Sequence, residues 1–213
     1  MNFEDFRLKR NPRDPYAPAV GRGQEQAADN LVAQASRLQQ AGDLQQAERL
    51  YRQALQLDPD NVNALHLLGV VAYQTGHLEA AADLISRAIG MDNTIPNFHL
   101  NLGNVLKDQG KTDAAIASYE SALRLNPDYF RAHNNIAVVL MSRDKLTEAI
   151  SHLQAALRLN PGYAEAHLNL GKALQRQGRP EEAVGHYREA LRLRPNYVEA
   201  YTNLGHACKE LGN

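Results

Sequence analysis

Cysteine is nearly missing: Cys208 is the one thiol in 213 residues. A lone thiol closes no internal disulfide and completes no zinc site, which fits a reducing compartment. Excess charge of one sign is missing too. Lys and Arg total 23 against 24 Asp and Glu, for a formal net charge of −1, and no block of like charge reaches five residues. That even spread lacks the electrostatic footprint of a nucleic-acid binder, so no DNA or RNA partner is expected. The longest mostly apolar run, ALHLLGVVAY at 64–73, is broken by His66 and has about half the length of a bilayer span, so no membrane partner is expected. The opening MNFEDFRLKRNPRDPYAPAV carries charges throughout and has no apolar core or small-residue cleavage site of a signal peptide. A cytoplasmic protein is expected.

What is present is a period. Asn101, Asn135, Asn169 and Asn203 are spaced by 34, and so are Gly42, Gly76 and Gly110, a series that Asp144 interrupts and Gly178 and Gly212 resume. Ala47, Ala81, Ala115, Ala149 and Ala183 keep the same step, as do Ala54, Ala88, Ala122, Ala156 and Ala190. Pro59, Pro127, Pro161 and Pro195 form another register, with Asn93 in the proline's place in the second unit. The frame is 28–61, 62–95, 96–129, 130–163 and 164–197, with a partial sixth unit at 198–213.

Each unit reads as two amphipathic helices joined by a glycine turn and closed by proline, with no strand signal. In the third, NFHLNLGNVLKDQ spaces His99, Leu102, Gly103 and Leu106 along one helical sector, the expected core. Gly103 and Ala115 allow close helix approach, and Tyr119 fills the space between neighbours. Residues 1–26 precede the frame, and Pro12, Pro15, Pro18, Gly21 and Gly23 make them read as a flexible lead-in to a repeat domain over 27–213.

The order of a large residue, Leu-Gly, Ala, an aromatic, Ala and Pro within 34 residues resembles the tetratricopeptide repeat over 28–213. The resemblance implies an all-α, right-handed superhelical solenoid of antiparallel helix pairs, five full repeats plus the first helix of a sixth. Its concave surface would be built by the first helix of each pair. The sixth unit keeps apolar Leu204, Cys208 and Leu211 where a capping helix should be polar, so the chain reads as the front part of a longer protein. The same residues make self-association through terminal helices an expectation.

On the side of the third unit's first helix opposite the expected core lie Asn97, Asn101, Asn104 and Asp108. The corresponding face carries Arg131, Asn135, Val138 and Ser142 in the fourth unit, then Glu165, Asn169, Lys172 and Arg176 in the fifth. In the sixth it carries Glu199, Asn203, His206 and Glu210. Neighbours vary while the asparagines stay, although four of them forgo ~1–2 kcal/mol of helix propensity. A carboxamide answers both the C=O and the N–H of an extended peptide, so the row reads as a ladder for polypeptide backbone. Asn101, Asn135, Asn169 and Asn203 are its rungs, with Asn97, Asn104, Arg131, Lys172 and Arg176 as flanking contacts. The rungs resemble the repeat domain of O-linked N-acetylglucosamine transferases and their bacterial relatives, which implies a substrate-recognition arm feeding a glycosyltransferase domain. Ala33 and Leu67 depart from that pattern in the first two units. A free-standing scaffold is the alternative.

No catalytic residue, cofactor or metal is expected. His99, His133 and His167 stand 34 apart, too dispersed to share an ion, and His152 and His186 read as surface residues. Cys208 reads as a small core hydrophobe, and SRDK at Ser142 to Lys145 as a chance match to a Ser-x-x-Lys motif. Chaperone adaptors that grip a C-terminal carboxylate resemble one another in a clamp of lysines, asparagines and an arginine over three consecutive units. The first three units here lack it, with Val32 and Ser36, then Leu67, then Asn97 and Asn101 at its places.

Overall fold

The turn residues cut the chain into helices where the period places them. In a computed structural model that describes residues 21–212, all regular structure is α-helical, with no strand among the described residues. The first of two units, which ends at Lys111, holds α1 (Arg22–Gln40), α2 (Leu44–Leu57), α3 (Val62–Gln74), α4 (Leu78–Met91) and α5 (Pro96–Asp108). The second begins at Thr112 and holds α6 (Thr112–Leu125), α7 (Phe130–Ser142), α8 (Leu146–Leu159), α9 (Ala164–Arg176), α10 (Pro180–Leu193) and α11 (Val198–Glu210).

Within the first unit each helix packs on the next, and α1 on α3 and α3 on α5 as well. In the second the same holds from α6 to α11, with α7 on α9 and α9 on α11. Within each unit helix pairs therefore stack, and the odd-numbered first helices lie side by side. Residues 1–20 of the expected lead-in lie outside the described residues. The helix that follows opens at Arg22, inside the stretch read as lead-in, because Gly21 takes the N-cap and its N–H donates to Gln24 Oε1 at 3.3 Å.

Local chemistry sets the ends. Gly42 has φ +86°, a left-handed value that costs glycine little, and the next N–H, of Asp43, reaches back to Leu38 O at 2.9 Å. Asp43 then caps α2 by accepting the Gln46 N–H at 3.1 Å, so one residue ends the turn and starts a helix. Asp144 holds the same left-handed turn at φ +59°. Pro96 and Pro180 enter at the first helical positions, where a missing N–H loses nothing.

Close approach follows the small residues. A Cβ on Gly171 would lie 2.5 Å from the Tyr187 ring, and one on Gly69 would lie 2.7 Å from Ile85. Tyr51, Tyr119 and Tyr187 are fully buried, as are the repeating alanines. The expected core sector of α5 is corrected: Phe98, Leu100, Gly103 and Val105 are buried, whereas His99, Leu102 and Leu106 are half-buried. A wheel with one apolar sector misplaces residues on a first helix because such a helix is covered on more than one side: α5 packs on both α3 and α4.

Candidate functional site

In the first unit the expected rung Asn101 is half-buried, and its Nδ2 donates to His66 Nε2 on α3 at 2.9 Å. His66 is 4% exposed and its ring stacks on Phe98 with centroids 4.1 Å apart. Burial pushes the His66 pKa down to about 4, so the ring is neutral, with its proton on Nδ1 and its lone pair turned to Asn101. Asn97 is exposed and Asn104 half-buried on the same helix. Farther along, Tyr73 donates to Asp108 Oδ2 at 2.5 Å and Gln39 donates to Gln74 at 2.8 Å. Burial, then the Asp108 carboxylate, pushes the Tyr73 hydroxyl up to about 12. These three pairs share a sequence separation of 35, one repeat plus one residue, which is the register in which neighbouring first helices face each other.

The second unit repeats that register. Asn169 Nδ2 donates to Asn134 Oδ1 at 2.9 Å, and Asn134, 5% exposed, donates in turn to Asn135 Oδ1 at 3.2 Å. Arg176 donates to Met141 O and to Asp144 Oδ1, both at 2.8 Å, while Lys172 pairs with Glu199 at 2.8 Å. Gln175 donates to Glu210 at 3.0 Å and accepts the Tyr187 hydroxyl at 2.9 Å. Lys172, Gln175 and Arg176 of α9, Tyr187 of α10 and Asn203 of α11 line a pocket of about 340 Å³. Arg131 is exposed on α7, its guanidinium 5.8 Å from the centroid of the Phe130 ring.

In the second unit Lys172, Arg176 and Asn203 line one pocket, Asn169 and Asn135 are linked through Asn134, and Arg131 lies on α7; in the first unit Asn97, Asn101 and Asn104 lie on α5. Asn101 and Asn169, expected as rungs, have a contact that the repeat pattern did not show. Each is also a strut to the preceding first helix, because the residue before the asparagine position one repeat earlier is polar, His66 or Asn134. Where that residue is Leu168, no such partner faces Asn203. The signal was in the sequence, as two polar residues at a place where other repeats put Leu100 and Leu168.

Histidines that the spacing kept apart are brought together. His133 and His152 place their Nδ1 atoms 3.0 Å apart, and His167 and His186 theirs 3.1 Å apart. The reading of His152 and His186 as surface residues is corrected to half-buried partners of the first helix. The overlooked sign was a separation of 19 recurring one repeat later. Burial, then the partner ring and Arg158, lowers the His133 pKa. Burial also lowers that of His152 against Glu120 and Glu148, and that of His186 together with the His167 ring. Among the described residues no group of three or more His, Cys, Asp and Glu side chains could hold a metal ion. Cys208 is half-buried on α11. Ser142 donates to Val139 O and Lys145 pairs with Glu148, so the SRDK stretch assembles no nucleophile.

Among the described residues no helix is long and apolar enough to cross a membrane. One tetratricopeptide repeat profile matches residues 100–164, 140–198 and 168–213, and a second matches 38–99. No curated protein matches the chain. Among solved structures, MamA is 26% identical over 76% of this chain and 94% of its own, with a TM-score of 0.67. YrrB, described as a TPR protein with an unusual peptide-binding site, is 23% identical over 90% of this chain and 100% of its own, with a TM-score of 0.65. Pseudomonas aeruginosa pilF is 21% identical over 89% of this chain and 92% of its own, with a TM-score of 0.73. At such identities the last two speak for the fold alone.

Proposed function

Because the chain belongs to the tetratricopeptide repeat family, we propose that it is a protein-interaction module that binds extended polypeptide along its first helices. The pocket between α9 and α11 carries this reading: Asn203 lines it together with Lys172, Gln175 and Arg176. The struts add preorganisation. One N–H of Asn169 is committed to Asn134, which fixes the carboxamide plane and leaves its oxygen and second N–H for a peptide backbone. Lys172 and Arg176 already pair with Glu199 and Asp144 at partly exposed positions. A client carboxylate would exchange with these weak pairs rather than meet bare charge. YrrB is an instance of a protein with this fold that has a peptide-binding site.

The narrower reading, an arm of a longer bacterial O-linked glycosyltransferase-like protein, rests on the asparagine pattern alone. A free-standing scaffold would use the same groove. The binding reading is tested by selecting peptides from a random library on the full chain and comparing Asn203→Ala with the wild type. The variant should keep its helical content and bind the selected peptides about tenfold more weakly, the loss of one good hydrogen-bonding group. Equal binding by both forms defeats the ladder.

A further inference from the structure

The two histidine pairs are not absorbed by peptide binding, and their geometry has a use. Two imidazole nitrogens bound to one ion at about 2.05 Å lie about 2.9 Å apart at a right angle and about 3.3 Å apart at the tetrahedral angle. The Nδ1 separations of 3.0 and 3.1 Å fall between these values. A second observation concerns the far side of one ring. His167 directs Nε2 at Pro161 O, 3.0 Å away, so that nitrogen carries the proton and Nδ1 presents its lone pair to His186. An imidazole tied by its other N–H to a backbone carbonyl is the usual support of a metal-bound histidine.

We propose that His133 with His152, and His167 with His186, form two bidentate sites for a late first-row divalent ion such as Ni²⁺ or Zn²⁺, one in each of two successive repeats. Each ion takes the two Nδ1 atoms in neighbouring coordination positions. In the second pair the His186 proton moves from Nδ1 to Nε2 through solvent, with no net proton released. Both rings of each pair are partly exposed, so water completes the coordination. The second pair opens on a pocket of about 430 Å³ that also meets Gln154, Leu157, Arg158 and Leu170. The charges acting on the pairs are mixed. Glu120 and Glu148 favour a cation at His152, Glu182 and Glu189 favour one at His186, and Arg158 opposes one at His133. The third repeat has His99 tied to Asn93 O in the same way, but Ser118 stands where the second histidine would be, so it holds no such pair.

Ni²⁺ titrated into the full chain in a calorimeter should give two ions per chain for the wild type, one for His152→Gln or His186→Gln, and none for the double variant. A double variant that takes up as much Ni²⁺ as the wild type overturns the proposal. A measurement on the wild type decides the matter should the double variant lose its helical content. Zn²⁺ followed by imidazole ¹⁵N resonances should move the Nδ1 signals of His133, His152, His167 and His186 and leave His66 in place. Four unmoved Nδ1 signals at millimolar Zn²⁺ mean that the rings merely hydrogen-bond each other.

Discussion

Asn101 on α5 donates its carboxamide to the Nε2 of His66 on α3, 35 residues earlier and 2.9 Å away. The same offset joins Asn169 to Asn134. Two members of the asparagine row thus hold neighbouring first helices in register, and substitution separates that role from the proposed peptide binding.

Asn101→Ala leaves the buried His66 nitrogen without its donor, and Asn169→Ala leaves the Asn134 oxygen without its own. Each should cost about 1–3 kcal/mol in urea unfolding, the penalty of an unsatisfied buried group. Asn203→Ala, which removes no such bond, should stay within about 0.5 kcal/mol of the wild type. Equal destabilisation by all three would refute the strut.

His66 makes the first unit sensitive to acid. Its pKa is about 4 in the fold and about 6.5 in the unfolded chain. As pH falls below about 6.5 the unfolded state takes up the proton first, so stability is lost progressively until about pH 4 and no further below it. The full loss from this one group is about 3 kcal/mol. His66→Leu, which installs the residue that stands at Leu100 and Leu168, should flatten the pH dependence of the urea midpoint between pH 7 and 4 by that amount. An unchanged slope would place the sensitivity elsewhere.

Two glycines at the same repeat position should respond oppositely to alanine. At Gly171 the new Cβ would meet the buried Tyr187 ring at 2.5 Å, and overpacking of this kind costs about 1–3 kcal/mol. At Gly205 nothing lies within 4 Å, so alanine should add about 0.5–1 kcal/mol through helix propensity. Thermal unfolding of the two variants gives the signs directly.

Asp144 sits at φ +59° where the other repeats use glycine. Asp144→Gly removes left-handed strain of about 1 kcal/mol at the loss of a surface ion pair with Arg176, which is worth little. A net gain of about 0.5 kcal/mol is expected, read as a rise in melting temperature. A fall would assign real weight to the Arg176 pair.

The helix boundaries were legible because they depend on neighbours in sequence. Gly42, Gly76, Gly110 and Gly178 all adopt the left-handed turn their period suggests, and Pro96 opens α5 at the frame's own edge. The site was legible only in outline. A wheel drawn for α5 separates Asn101 from the core, yet it cannot show that α3 runs alongside and offers His66 as acceptor. Nor does it bring His167 to His186, which lie on two helices of one pair and meet only when those helices cross at their packed distance.

By itself the amino-acid sequence determined the 34-residue unit, the two helices in each, their turns, and the small residues that let Tyr187 close on Gly171. All of these follow from local backbone preference and periodic burial. Tertiary structure decided which polar side chains answer one another. The offset of 35 between adjacent first helices and of 19 within a pair comes from how helices stack. A half-buried amide or imidazole takes its role from the partner that stacking brings to it.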